Sequence, residues 1–428
     1  MKPEFPSAPA PPPSTLPPPP HFSLLIKPAS ADCNLKCEYC FYLGKCVLYP
    51  ETKRHRMSEA VLERMIRSYL ATAQPAYNFG WQGGEPTLMG LDFFRRVTDL
   101  QQKHGQPGTS VANGVQTNAT LIDDAMAEHF ARFNFLLGCS LDGPEEVHDL
   151  YRHTIAGAPS HRDVLRGIGV LRKHKVEFNI LVLVSQSNVR RAREVYRYLV
   201  GEGFLYHQYI PCVEYDAAGN RLPFAIGGEA WGAFLCDLFE EWRARDTYRV
   251  SIRHFDSLLA KLVDGAVSVC TLGRNCCQYF VVEYNGDIYP CDFFVEPHLR
   301  IGNVADTSWD AALRADIYRR FGELKSDWNE RCNACRHLDL CAGDCLKHRL
   351  YANRPPSAPS ALCEGWSMFL ERTRPGFEQL AADIRQKRIA EQNRFAAALP
   401  PPARGAIGRN DPCSCGSGRK FKHCCGKC

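Results

Sequence analysis

The chain lacks several features that would settle its class at once. No run of about 18 apolar residues occurs, so no membrane-spanning helix is expected. The opening MKPEFPSAPAPPPSTLPPPPHF has no apolar stretch of the kind a secretory signal needs. The expectation is therefore a chain that stays in a reducing cytoplasm, where structural disulfides are rare. No self-similarity at solenoid periods is visible. Charge of one sign is scarce in the body. The 52 bases against 47 acids give +5, and residues 401–428 alone hold six bases (Arg404, Arg409, Arg419, Lys420, Lys422, Lys427) against one acid, Asp411. That excess of five is the whole net charge, so residues 1–400 are formally neutral and no long basic nucleic-acid face is expected. None of the 14 histidines sits in a metal-like or catalytic arrangement, His423 in the tail excepted.

Proline and cysteine are abundant instead. Ten of the first twenty residues are proline, which favours extended polyproline II and cannot pack a core. Residues 1–21 therefore read as a disordered tail, a spacer in preference to a ligand for a proline-binding domain. Cysteine numbers 21 in 428 residues. A chain this long does not need disulfide staples, and in a reducing compartment such a count points to metal.

From 22 to 212, strand-like runs alternate with amphipathic helical stretches. Strands are expected at 23–28, 77–82, 111–116, 135–141, 177–184 and 206–211. Helices are expected at 58–72 (capped by Ser58), 91–104, 123–133, 161–174 and 189–200. This alternation implies an α/β fold with a parallel sheet and right-handed crossovers, as an open sheet or a partial barrel, with ligand chemistry at the strand C-terminal ends. Residues 228–263 read as helical, with a core-packing stripe at Trp231, Phe234, Leu235, Leu238, Phe239 and Trp242. Residues 270–363 are cysteine-rich and short in periodic structure, and 376–399 read as a helix before a PPPARG linker.

Cys33, Cys37 and Cys40 form C-x3-C-x2-C on one loop after the first strand. A zinc site or a complete cubane normally takes four protein ligands. Three thiolates leave one iron of a [4Fe–4S] cluster open, or else await a zinc ligand from elsewhere. Gln82-Gly83-Gly84-Glu85-Pro86 closes the second strand. Together these two motifs resemble those of the radical S-adenosylmethionine (SAM) enzymes. The resemblance implies a partial (β/α)6 barrel over 22–225, a cluster held by Cys33, Cys37 and Cys40, and SAM bound by the Gln82–Glu85 segment.

Eight more cysteines follow: Cys270, Cys276 and Cys291, then Cys332, Cys335, Cys341 and Cys345, then Cys363. By spacing alone, zinc and iron–sulfur fit equally well. The layout resembles the SPASM extension of radical SAM enzymes, which implies two auxiliary [4Fe–4S] clusters with interleaved ligands. One takes Cys270, Cys276, Cys291 and Cys345; the other takes Cys332, Cys335, Cys341 and Cys363. Cys277 falls outside the pattern. The stretches WQGGEPTLMG, VQTNATLID, CSLDGPEEVHDLYR, FNILVLV, QYIPCVE and YPCDFF resemble the anaerobic sulfatase-maturating enzymes specifically, over residues 22–370. Those enzymes oxidise a cysteine or serine within C/S-x-P/A-x-R of a sulfatase to Cα-formylglycine. A 5′-deoxyadenosyl radical from SAM takes a hydrogen from Cβ, a general base takes the thiol or hydroxyl proton, and the auxiliary clusters take an electron. Carried over, the base is Asp292, and Tyr42, Ser140, Arg152 and Val213 join Gln82, Gly83, Gly84 and Glu85 as SAM contacts. A carboxylate beside an electron acceptor makes chemical sense, because proton and electron must both leave.

Cys413-x-Cys415-x8-Cys424-Cys425 closes the chain. Four thiolates within so short a segment can fold a hairpin around zinc. The string resembles the SEC-C motif of the SecA translocation ATPase, which implies a zinc knuckle that docks on a chaperone, a translocation factor or an unfolded sulfatase chain, or one without a partner. The domains expected are thus 1–21 tail, 22–225 radical SAM partial barrel, 226–269 helical connector, 270–375 SPASM domain, 376–407 helix and linker, and 408–428 SEC-C motif. A flavodoxin- or ferredoxin-type donor is implied, with no nucleic acid and no membrane span. Two other readings compete: a SPASM enzyme modifying another ribosomal peptide, and a non-catalytic iron–sulfur or zinc adaptor. Cys46, Cys139, Cys212, Cys236, Cys277 and Cys428 have no assigned role.

Overall fold

The structure is a computed structural model that describes residues 21–351, 354–398 and 408–427, with only the backbone of Cys46 and of 395–398. Residues 1–20 of the expected proline tail, 399–407 of the expected linker and Cys428 lie outside the described residues.

Ten strands form one sheet: β1 (Ser23–Lys27), β2 (Ala76–Trp81), β3 (Ser110–Thr117), β4 (Leu136–Ser140), β5 (Glu177–Val184), β6 (Tyr206–Pro211), β7 (Ser251–Ile252), β8 (Tyr279–Glu283), β9 (Asp287–Tyr289) and β10 (Gly302–Asn303). Their order is β10-β9-β8-β1-β2-β3-β4-β5-β6-β7. Strands β1 to β7 pair in parallel, each step crossing through a helix, as the alternation of strand and helix patterns requires. All six expected strands are present within a residue or two. Two of the helices between them start at a polar side-chain cap. Ser58 accepts from the Val61 amide at 3.3 Å and Asp123 from the Met126 amide at 2.8 Å. The fold is mixed α/β with a largely parallel sheet, followed by a cysteine-rich segment and a cysteine knuckle.

Three differences from the sequence pattern have physical reasons. First, 228–263 is two helices, Gly228–Arg245 and Arg253–Asp264, with β7 between them. The break is held by the Trp242 indole donating to Val250 O (2.8 Å), by Tyr196 donating to buried Asp246 (2.8 Å), and by β7 pairing with β6. Second, the cysteine-rich segment is not devoid of strands. β8 pairs in parallel with β1, from Ser23↔Tyr279 to Lys27↔Glu283, and β9 and β10 extend the sheet antiparallel. The sheet therefore continues from the expected barrel segment into the expected auxiliary-cluster segment. Third, the last long helix begins at Cys363 and not after Pro375, which lies inside it. Its first turns bury Trp366, Phe369 and Leu370, a periodic apolar face that outweighs the hydrogen bond Pro375 cannot make.

That helix start touches helix 228–245 backbone to backbone. A Cβ on Gly365 would lie 2.0 Å from Gly228 O and 2.8 Å from Gly232 N. Gly365→Ala should therefore force the two helices apart, at about 1–3 kcal/mol, and lower the melting temperature. Gly169→Ala, in helix 161–173 with nothing within 4 Å of the new methyl, should raise it slightly. Equal melting of the two variants would contradict this packing.

Candidate active site

The loop after β1 carries Cys33, Cys37 and Cys40. It is clamped to the 151–153 segment by Lys36 N→His153 O (2.8 Å) and Glu38 N→Tyr151 O (3.0 Å), and Cys40 N→Cys37 O (3.1 Å) closes the turn between the last two thiols. Leu35, Tyr39, Cys212 and Ala225 surround the three sulfurs. Burial pushes the Cys33 thiol up to about 12 and the Cys40 thiol up to about 11, and raises Cys37 as well. Arg152 is the neighbouring cation of all three. Its guanidinium is 3.6 Å from Asp142, a buried acid that also accepts from the Tyr39 hydroxyl and from Leu183 N. Arg152 Nε is buried without a hydrogen-bond partner.

Gly83 and Gly84 are required by the loop itself. Gly84 N donates to Ser30 O (2.8 Å) and Glu85 N to Asp32 O (2.8 Å), and a Cβ on Gly84 would strike Asp32 O at 1.9 Å. The end of β2 is thereby locked against the start of the cysteine loop. The Glu85 carboxylate is fully buried and already accepts from Thr87 N, Thr87 Oγ1, Thr117 Oγ1 and Asn118 N. Burial nevertheless raises its pKa. Ser140 closes β4, and Val213 is buried just beyond β6.

Asp292 follows Cys291 in a short 3-10 turn after β9. Its Oδ2 accepts from the Tyr42 hydroxyl (2.6 Å) and from Gln82 Nε2 (3.3 Å). Its Oδ1 lies 2.7 Å from the Lys27 ammonium, an ion-pair contact without the alignment of a hydrogen bond. Lys27 is 1% exposed, stands over the Tyr42 ring at 4.6 Å and is 3.7 Å from Glu283. Burial and the Asp292 carboxylate push the Tyr42 phenol well up, so it donates. Burial also raises the Glu283 carboxyl. Two residues read as SAM contacts, Tyr42 and Gln82, are thus bonded to the candidate base. Lys27 and Glu283 were missed in the sequence. The available signal was one charge closing each of two buried strand patterns, SLLIK and YFVVE.

The eight later cysteines sort by electrostatic proximity. Cys276, Cys291 and Cys345 have one another and Cys270 as neighbours. Cys363 has Cys332 and Cys335, and Cys341 has Cys363. These neighbours are compatible with the two interleaved quartets that the SPASM resemblance implies. Among the described residues, the one group with all its ligand atoms within 4.8 Å of one another is Cys413, Cys415, Cys424 and Cys425, without His423. A zinc–sulfur bond of about 2.3 Å sets tetrahedral sulfurs about 3.8 Å apart, so this group fits a single ion. Hydrogen bonding from Ser417 lowers the Cys415 thiol to about 6. The other eleven sulfurs form no such single-ion group. Beside Cys33, Cys37 and Cys40, the Arg152 cation and its unpartnered Nε suit an anionic ligand. Cys139, Cys212 and Cys236 are buried in apolar packing, and Cys277 donates to Tyr318 O.

Comparison with known proteins bears on all three regions. Family models match for the radical SAM superfamily over residues 28–199, for the SPASM iron–sulfur cluster-binding domain over 270–336, and for the SEC-C motif over 409–427. The serine-type anaerobic sulfatase-maturating enzyme of Bacteroides thetaiotaomicron is 33% identical over 380 residues, covering 84% of this chain and 91% of that protein. The cysteine-type enzyme of Clostridium perfringens is 36% identical over 370 residues, covering 86% of this chain and all of that protein. The solved structure of native anSMEcpe with bound AdoMet and the Cp18Cys peptide superposes with a TM-score of 0.79 at 36% identity, over 85% of this chain and 99% of that one.

Lys27→Met should destabilise the full chain by about 3–5 kcal/mol, because it strands a buried carboxylate. The Lys27→Met/Asp292→Asn double variant should recover part of that loss in thermal melting. Strictly additive losses would show that the two side chains are not paired.

Proposed function

The chain belongs to the anaerobic sulfatase-maturating enzymes of the radical SAM superfamily, and from that membership we propose that it oxidises an active-site cysteine or serine of a sulfatase, within C/S-x-P/A-x-R, to Cα-formylglycine. The observation that carries this reading is the position of Asp292. It follows a candidate cluster ligand directly, yet it is bonded to residues at the ends of β1 and β2 and on the first cysteine loop.

Cys33, Cys37 and Cys40 would hold the SAM-binding cluster. Gln82, Gly83, Gly84, Glu85, Ser140, Arg152, Val213 and Tyr42 would line the SAM site, with the orphaned Arg152 Nε suited to a carboxylate. When bound, SAM and this cluster supply the radical that removes a hydrogen atom from Cβ of the target residue. The protein then has to take the heteroatom proton. Asp292 does so through its carboxylate, which Tyr42 and Gln82 orient on one oxygen and the Lys27 ammonium balances on the other. Cys270, Cys276, Cys291 and Cys345 would hold the adjacent auxiliary cluster, and Cys332, Cys335, Cys341 and Cys363 the next. Asp292 would then be joined by one peptide bond to Cys291, a residue that would hold the electron-accepting cluster. The apolar packing around the first loop excludes water.

The domain limits proposed are those of the sequence reading. Relatives of both serine and cysteine type match at 33% and 36% identity, so both peptide classes belong in the test. A reduced flavodoxin- or ferredoxin-type protein is the proposed donor. The zinc knuckle is proposed to recruit a chaperone, a translocation factor or the unfolded sulfatase. No described helix is long and apolar enough to cross a membrane, and the need for a strong reductant supports a cytoplasmic setting.

The test is anaerobic reconstitution with SAM, a reductant and peptides bearing Cys or Ser before x-P-x-R. The expected result is the peptide mass of the aldehyde, formed in step with 5′-deoxyadenosine. SAM cleavage with both peptides unchanged would remove the substrate assignment.

A further inference from the structure

Lys325 is 1% exposed, and its ammonium donates to three main-chain carbonyls: Thr271 O (3.2 Å), Ala342 O (2.8 Å) and Asp344 O. Three acceptors need three donors, which only the protonated amine has. Each acceptor adjoins a candidate cluster ligand. Thr271 follows Cys270, Ala342 follows Cys341, and Asp344 precedes Cys345. Two of those ligands are assigned to one auxiliary site and the third to the other. One buried cation therefore ties together loops from both sites. Its electrostatic neighbours include the Cys270, Cys276, Cys345 and Cys341 thiols.

The charges around it are few and fixed. Buried Arg349 donates to Lys325 O and Pro356 O, and buried Asp344 accepts from His348 Nδ1 (2.7 Å) and Ser360 Oγ (2.6 Å). Lys261, which donates to Leu272 O, is a further cation beside Lys325 and Cys341, so cations outnumber the buried Asp344 carboxylate around the two thiolate quartets. A [4Fe–4S] cluster on four thiolates is anionic, and it gains a further negative charge on reduction. A fixed cation stabilises the reduced form more than the oxidised one, and it does so strongly where water is excluded.

We propose that Lys325 is a redox-positioning residue, whose ammonium is shared by both auxiliary cluster sites and raises their readiness to accept the electron released by substrate oxidation. This rests on the reading of the eight cysteines as two cluster sites. Nothing in the cysteine spacing announces it, because Lys325 lies between the two runs and belongs to neither.

The test uses the full chain, reconstituted anaerobically, with iron content measured first and cluster potentials then titrated by electron paramagnetic resonance. Lys325→Met, with iron retained, should lower the electron-accepting equilibrium of the auxiliary clusters about tenfold, which is about 59 mV for a one-electron couple. Asp344→Asn removes a negative charge from the same spot and should shift the potential upward. Shifts of opposite sign follow from charge, whereas a merely structural link would give no shift or losses in the same direction. Unchanged potentials in Lys325→Met, or downward shifts in both variants, would overturn the proposal. Should Lys325→Met fail to retain iron, Asp344→Asn decides alone: an upward shift supports the proposal and none overturns it. A wild-type chain that takes up iron for the first site only would overturn the cluster reading and the proposal together.

Discussion

Where β1 pairs with β8, Lys27 stands opposite Glu283 and reaches Asp292. Both strands end at that level, so the cysteine loop that follows β1 and the hairpin that follows β8 open on the same side of the sheet. Without this parallel pairing, Asp292 would belong to a separate cysteine-rich segment some 250 residues away from the first loop. With it, the candidate base is bonded to Tyr42 on the loop and to Gln82 at the end of β2. A long-range strand register thus assembles the site, and the polar contacts refine it.

That arrangement places an ammonium and two carboxylates in a nearly dry interior. Such groups are costly to desolvate, and a buried ion pair seldom stabilises a fold relative to apolar packing. Its value here is positional. The carboxylate is oriented through Oδ2 and charge-balanced at Oδ1 before any substrate arrives, in the way a preorganised site requires. A second buried ammonium, Lys325, recurs between the later cysteine quartets, again held by groups from several loops. In each case a lysine marks the point where segments distant in sequence must be kept in register.

Much of this was legible in the sequence. The six expected strands showed as apolar runs and the helices as periodic faces, the first with its Ser58 cap, because these signals are local. The first cysteine loop and the terminal knuckle were equally plain, since their cysteines fall within a few residues of one another. The site's deeper layer was not. Lys27 and Glu283 gain meaning only from the β1–β8 register, and for Tyr42 and Gln82 the family resemblance implied SAM contacts but not their bonds to Asp292. The interleaving of Cys345 with Cys270, Cys276 and Cys291 came from family resemblance, because spacing alone would group Cys345 with Cys341. Pro375 misled in a different way. A local breaker was overridden by the tertiary burial of Trp366, Phe369 and Leu370.

On the proposed mechanism, Asp292 removes the substrate proton while the radical chemistry proceeds independently of it. The most direct measurement is the ratio of peptide aldehyde to 5′-deoxyadenosine produced by Asp292→Asn under anaerobic turnover. SAM cleavage should persist while aldehyde formation falls about 10²–10⁴-fold, the usual worth of a positioned base. A ratio equal to that of the unsubstituted chain would contradict it.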